Sequence, residues 1–257
     1  MRFGLCVSLI SLLLSLVALW WVKLPWWMVF RRCVSIAAAL SLWLFIRKFE
    51  RRSFRSYGLS AGGAGKHQLL SGLFLGLWGL GTPLGIGLAS GVCRIHITAD
   101  SVRLWWTVLG FVPLACLISI LEELVFRGFI LQHLMLWSRP TGFIISSVLY
   151  SIVHLKITTL NLSTGLELGG LFLLGGVLAL TYLQTNQLYQ AIGLHATLAY
   201  GARVNKLFLE FPDHSISWLI GTNRLVNGLA GWVVLLGIGA MVVWWAQISR
   251  RGGVHDA

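Results

Sequence analysis

Glu122 and Glu123 stand side by side in a stretch that otherwise suits the interior of a membrane. The chain has only eight acidic residues, and uncharged runs, 104–121 and 129–137, lie on either side of this pair. An ionised carboxylate in a bilayer is costly, so such residues usually face a polar cavity and mark a functional site. The plainer interpretation is a charged helix end at the membrane surface.

Arg127 supplies a positive charge for one of the two carboxylates. If this stretch is helical, Glu123 and Arg127 lie four residues apart on one face and can form an ion pair. Glu122 is rotated by about 100° from Glu123, because a helical turn holds about 3.6 residues. The spacing therefore predicts an ion pair between Glu123 and Arg127. The Glu122 carboxylate is left free to interact with a different group.

Two of the seven histidines, His154 and His195, lie inside apolar runs. A lone histidine in a helix bundle is usually a hydrogen-bonded packing residue, but two of them and a glutamate pair can do more. Carboxylate and imidazole together form either a general base for water or a set of metal ligands. Helix bundles build sites from side chains on facing helices, and we expect such a site here.

Several common catalytic patterns are absent from the sequence. It has no HExxH helix, no Gly-x-Ser-x-Gly elbow, no GxGxxG and no phosphate-binding loop. These absences argue against a zincin, a serine hydrolase of the elbow type and a nucleotide-binding fold. The four cysteines have no CxxC pairing, so we interpret them as small apolar residues and predict neither a disulfide framework nor a zinc site for them.

The composition predicts an all-α, polytopic integral membrane helical bundle. Of the 257 residues, 57% are hydrophobic and 11% are charged, whereas soluble domains carry roughly 25% charged residues. The net charge of +12 is explained by basic cytoplasmic loops, which are attracted to anionic lipid headgroups. We therefore expect membrane lipid as a partner. Nucleic acid is not expected, since no basic patch with interleaved aromatic residues stands apart from the apolar runs.

The apolar runs predict about eight transmembrane helices in one membrane domain. They cover approximately residues 5–22, 29–46, 69–89, 104–121, 141–155, 169–185, 189–204 and 225–248. We divide this domain into helices one to three (1–103), a core (104–205), and a part (206–257) with a loop, the last helix and a basic tail. The first run is interpreted as an uncleaved helix, with a signal peptide as the weaker option.

Glycine spacing and charge add two further predictions. Two GxxxG pairs in the third span, Gly72 with Gly76 and Gly81 with Gly85, predict close helix packing, and Pro83 predicts a kink. Six of the 20 Lys and Arg residues lie in the loop over residues 47–66. The positive-inside rule places this loop, and with it the N- and C-termini, in the cytoplasm.

Three motifs resemble the signature of the CAAX-processing and bacteriocin-processing intramembrane protease family, which includes the type II CAAX prenyl endopeptidases. They are Glu122-Glu123-x-x-x-Arg127-Gly128, Tyr150-x-x-x-His154 and Gly193-Leu194-His195-Ala196. The resemblance covers about residues 104–205.

Two positions depart from the family pattern. Tyr150 stands where the family usually has phenylalanine, and Ala199 stands where it has Asn or Asp. The family residue at position 199 is thought to help hold the oxyanion or a ligand. Tyr200 and Asn161 are neighbouring polar residues that could replace it.

The resemblance implies an intramembrane endopeptidase acting on a membrane-associated protein or peptide, in the plasma membrane of a bacterium. Glu122 with His154 would deprotonate water, and His195 would stabilise the tetrahedral oxyanion. Glu123 and Arg127 would form a supporting ion pair. If a metal is used, Glu122, His154 and His195 would be its ligands and zinc its identity. A metal-free glutamate mechanism uses the same residues, and no organic cofactor is implied.

Two other functions compete with proteolysis. One is a non-catalytic immunity or scaffold protein of the same fold, which the alanine at position 199 favours. The other is a proton-coupled transporter that uses buried Glu and His as a relay, although the sequence shows no two-fold internal repeat. Proteolysis requires the Glu122 carboxyl to lie within about 10 Å of both imidazoles, since acid–base chemistry works over hydrogen-bond distances.

Overall fold

The fold is a bundle of apolar helices. The structure is a computed structural model that describes residues 2–21, 26–50, 53–60, 62–97, 99–154, 161–212, 216–221 and 225–252. Four helices in these ranges are long and apolar enough to cross a membrane: Ala64–Ala89, Ser101–Leu134, Leu162–Thr185 and Leu229–Ile248. The protein is an all-α integral membrane bundle, as the composition predicted. The count of eight spans stays a prediction.

The helices follow one another with short connections. In chain order they are α1 (Arg2–Trp21), α2 (Trp26–Phe45), α3 (Ala64–Ala89), α4 (Ser101–Glu123), α5 (Gln132–Leu134), α6 (Arg139–His154), α7 (Leu162–Thr185), α8 (Tyr189–Phe208), α9 (Ser217–Ile220) and α10 (Leu229–Gly252). Short π or 3₁₀ turns cover Ile46–Glu50, Phe54–Tyr57 and Leu225–Asn227. Two strands, β1 (Arg94–Ile95) and β2 (Leu209–Glu210), pair antiparallel, which the sequence did not predict.

The helix that carries the glutamate pair changes its geometry directly after it. α4 begins at Ser101, and the side chain of the preceding Asp100 caps it by accepting a hydrogen bond from the Arg103 amide at 2.9 Å. From Leu124 to Leu131 the chain is π-helical, and α5 then completes one continuous helix. π-helical turns are rare and often mark functional sites. The helix ends at Leu134, within the uncharged run 129–137.

The predicted bounds of one further span need correction. α7 starts at Leu162, because the Asn161 side chain accepts from the Thr164 amide at 2.9 Å and caps it. It therefore begins before the predicted span over 169–185, and residues 155–160 lie outside the described ranges. α3 continues as one helix through Pro83, and the kink stays a prediction.

All four cysteines are free, and Cys93 is buried between α3 and β1. Burial raises the pKa of the Cys93 thiol, because it disfavours the charged thiolate. The thiolate is the reactive form, so this cysteine is a poor nucleophile.

Glycines bring α3 and α8 into backbone contact. A Cβ added at Gly72 would lie 2.2 Å from the Gln190 carbonyl oxygen, and one at Gly193 would lie 2.4 Å from the Leu69 carbonyl oxygen. No side chain fits at such distances, so this crossing requires glycine on both helices. His195 follows Gly193 by two residues, and the crossing therefore sets the position of that imidazole.

Only one of the two predicted GxxxG pairs packs in this way. Gly76 also faces α8, since its added Cβ would lie 2.5 Å from Thr197 Cβ. Added Cβ atoms at Gly81 and Gly85 would have nothing within 4 Å among the residues that the structure describes. Packing is therefore confirmed for the first pair and is not found there for the second.

The two glycine pairs give a matched test of this crossing. Gly72→Ala is expected to destabilise the protein in detergent by about 1–3 kcal/mol, the usual cost of overpacking. Gly81→Ala is expected to be neutral or slightly stabilising, because alanine is the better helix former. Equilibrium unfolding of both variants would check this, and equal stability would contradict the described α3–α8 contact.

Candidate active site

The Glu122 carboxylate lies between the two intramembrane histidines. Its Oε2 atom is 3.3 Å from His154 Nε2 and 3.8 Å from His195 Nε2. Glu122 comes from the last turn of α4, His154 ends α6, and His195 lies in the second turn of α8. Both separations are well inside the limit of about 10 Å that hydrogen-bond chemistry sets. The structure thus brings all three side chains together.

Glu123 and Arg127 form the predicted ion pair, and it is fully buried. Arg127 Nη1 donates to Glu123 Oε1 at 3.0 Å, and Nη2 donates to the Gly175 carbonyl at 3.0 Å. The two side chains are 0% and 1% exposed. The guanidinium also lies 4.6 Å from the centre of the Tyr150 ring, within cation–π range. One arginine therefore connects α4, its π-helical continuation, α6 and α7.

Glu123 has a second partner that the sequence did not reveal. His195 Nδ1 lies 2.7 Å from Glu123 Oε1. A carboxylate paired with arginine can only accept, so His195 Nδ1 carries the proton. The carboxylate thus fixes both the tautomer and the orientation of the ring. A hydrogen bond to one ring nitrogen commonly sets the state of the other in functional histidines. Glu123 links the ion pair to the site.

The Nδ1 atom of His154 is also committed as a donor. It lies 2.8 Å from the Tyr150 carbonyl oxygen, and a carbonyl can only accept. In a neutral His154 the Nε2 atom that faces Glu122 is therefore an acceptor. Two acceptors at 3.3 Å need one proton between them or a bridging water. The Glu122–His154 pair is thus built to take up a proton and return it.

Access to this pair comes from the side of His154. The side chain of His154 is 30% exposed and that of Glu122 is 16% exposed, whereas that of His195 is 7% exposed. A reactant could therefore approach Glu122 past His154 and would meet His195 at the inner wall.

Tyr150 is the side chain whose position sequence reasoning undervalued. Its hydroxyl lies 3.5 Å from His195 Nε2, and only 2% of the residue is exposed. We treated it as a mild change from phenylalanine. A signal was present, since Tyr150 precedes His154 by four residues and so shares its helix face.

The two polar residues suggested as replacements at position 199 take part in other contacts. Tyr200 directs its hydroxyl to the Val108 carbonyl at 2.9 Å, which ties α8 to α4. Asn161 caps α7 and accepts from Thr164. The Tyr200 hydroxyl is therefore committed elsewhere, and the suggestion of Asn161 stays a prediction.

The three predicted zinc ligands lie together, since Glu122 Oε2 is 3.3 Å from His154 Nε2 and 3.8 Å from His195 Nε2. Zinc needs at least three protein ligand atoms around one point. Within the described ranges, no group of three or more His, Cys, Asp or Glu side chains is arranged to hold a metal ion. The zinc set of Glu122, His154 and His195 stays a prediction from the resemblance, and no step below runs through a metal.

Comparison with protein families agrees with the three motifs. Residues 104–200 match the model of the family described as type II CAAX prenyl endopeptidase Rce1-like. The chain carries an Rce1-like segment. This segment, residues 104–200, contains every residue of the site described above. The match confirms the resemblance seen in the sequence. Comparisons with curated proteins and with solved structures found no match.

Proposed function

We propose that this protein is an intramembrane endopeptidase that hydrolyses a peptide bond of a membrane-associated protein or peptide. The observation that carries the proposal is the approach of the Glu122 carboxylate to His154 Nε2, at 3.3 Å, inside an Rce1-like segment. The positive-inside rule supports cytoplasmic termini, and we place the protein in the plasma membrane of a bacterium.

The reaction uses the proton that Glu122 and His154 can share. Glu122 removes a proton from water, and the resulting hydroxide attacks the carbonyl carbon of the scissile bond. The tetrahedral intermediate then breaks its C–N bond, and the same pair returns the proton to the leaving amine. General acid–base catalysis of this kind contributes about 10²–10⁴-fold in rate.

His195 stabilises the tetrahedral intermediate when its own imidazole ring is protonated. In the neutral ring the proton is on Nδ1, so Nε2 has only a lone pair to offer. Nε2 takes up a proton from solvent before the attack and keeps it throughout the cycle. The Glu123 carboxylate at 2.7 Å stabilises this imidazolium, which donates to the oxyanion. Preorganised donors of this kind are a large source of transition-state stabilisation.

Cleavage in isotopically labelled water tests the proposal directly. Purified protein in proteoliposomes is mixed with a membrane-tethered peptide in H₂¹⁸O, and the fragments are analysed by mass spectrometry. Hydrolysis places ¹⁸O in the new carboxyl terminus. Intact peptides across a library of tethered sequences would contradict the proposal, and proton flux without cleavage would favour a transporter.

Metal removal is expected to leave the cleavage rate unchanged. The described side chains can move the proton without a Lewis acid, so a chelator has nothing essential to extract. The rate is measured before and after dialysis against EDTA and 1,10-phenanthroline, with zinc content determined by atomic spectroscopy. Activity that is lost and then restored by zinc would contradict the metal-free mechanism and support the three predicted ligands.

A further inference from the structure

The hydroxyl of Tyr150 lies beside His195, on the inner side of the site. Tyr150 Oη is 3.5 Å from His195 Nε2, and that nitrogen is 3.8 Å from Glu122 Oε2. A carbonyl group attacked by a water that Glu122 activates would therefore have its oxygen close to both His195 and Tyr150.

The ring of Tyr150 is held on three sides, which fixes the hydroxyl oxygen. The Arg127 guanidinium lies 4.6 Å from the ring centre, and the Phe126 ring packs edge-on with centroids 5.2 Å apart. The His154 ring is the third neighbour, with its centroid 4.4 Å from that of Tyr150. Such preorganisation lets a donor act without moving heavy atoms.

The tautomer of His195 makes Tyr150 the donor of their contact. His195 Nδ1 donates to Glu123, so the neutral ring has an unprotonated Nε2, and the Tyr150 O–H points toward it. At 3.5 Å this hydrogen bond is long and weak. The hydroxyl can therefore turn about its C–O bond toward a stronger acceptor, such as an oxyanion, at little cost.

Position 199 offers no competing donor. Ala199 has no polar side-chain atom, and the neighbouring Tyr200 hydroxyl is bonded to the Val108 carbonyl at 2.9 Å. The donor that the family pattern leads one to expect on α8 is thus missing, while α6 gains a hydroxyl in the same site.

We propose that the Tyr150 hydroxyl donates a hydrogen bond to the oxyanion and thereby replaces the Asn or Asp that Ala199 has lost. This inference rests on the proposed endopeptidase function. It makes Tyr150 a catalytic residue, because its hydroxyl touches the reacting oxygen. It also explains how a chain without a polar residue at position 199 supports hydrolysis.

Tyr150→Phe removes the hydroxyl and keeps the ring that Arg127 and Phe126 contact. We expect kcat for a membrane-tethered peptide to fall by about 100-fold, the usual effect of losing one oxyanion donor. KM should stay unchanged, since the oxyanion exists only after attack has begun. Tyr150→Phe/Ala199→Asn should regain at least about tenfold of the lost kcat, because it restores a donor on α8.

Tyr200→Phe is the matched control, because it removes a tyrosine hydroxyl one residue from Ala199 but outside the site. It should lower stability by about 1 kcal/mol through the lost bond to Val108 and leave kcat unchanged. Full kcat in Tyr150→Phe, or a double variant no more active than Tyr150→Phe, overturns the inference. If the unmodified protein cleaves, such a result leaves the proposed function intact; a wild type that never cleaves overturns both.

Discussion

Replacing Glu122 with glutamine is expected to lower kcat for peptide cleavage by about 10²–10⁴-fold, the contribution of a general base. Glutamine has the same shape, but its amide cannot accept the proton of the attacking water. The contact with His154 at 3.3 Å can persist as a neutral hydrogen bond. The fold should therefore be retained, and unfolding measurements alongside the assay would show this.

The same substitution at a distant glutamate provides the control. Glu210 lies exposed on β2, so Glu210→Gln should cleave at the wild-type rate. Full activity in Glu122→Gln would remove this carboxylate from the mechanism. A cellular phenotype that persists in Glu122→Gln, with no cleavage by either form, would support the non-catalytic scaffold.

Arg127→Leu is expected to cause the largest loss of stability, about 3–5 kcal/mol, the cost of breaking a buried ion pair. The substitution leaves the Glu123 carboxylate buried without its cation and the Gly175 carbonyl without its donor. The measurement is equilibrium unfolding in detergent micelles. A loss below about 1 kcal/mol would show that water or another cation reaches Glu123.

A double variant separates stability from activity. Glu123→Leu with Arg127→Leu removes both charges, so much of the lost stability should return, as it does when a buried pair is replaced by apolar residues. Activity should remain low, because His195 Nδ1 has then lost the acceptor at 2.7 Å that orients its ring. An active double variant would mean that Glu123 does not position His195.

The parts of the site that were predictable from sequence are those that one helix determines. Glu123 and Arg127 pair because residues four apart share a helix face, and the same geometry turns Glu122 away. The relation of Glu122 to His154 and His195 spans three helices. It could be anticipated only because the order of the motifs resembles a known family.

The parts that the sequence left open depend on a partner helix. The Gly72–Gly76 and Gly81–Gly85 pairs have identical spacing, yet only the first faces α8, since a GxxxG pattern does not say what lies opposite. The Tyr150 hydroxyl was missed for the same reason, because its neighbour His195 is 45 residues away in the chain. The π-helical turn after Glu123 has no periodic signal in residue type.

The pairing of Glu123 with Arg127 on a single stretch of helix bears on how the protein is made. A lone charge at the centre of an inserting helix costs roughly 2.5–3.5 kcal/mol on the translocon scale. These two residues reach each other without help from any other segment, so the nascent helix enters lipid with one opposite-charge couple already neutralised. The Gly175 carbonyl and the His195 imidazole can then be recruited later, when α7 and α8 have been synthesised and laterally assembled.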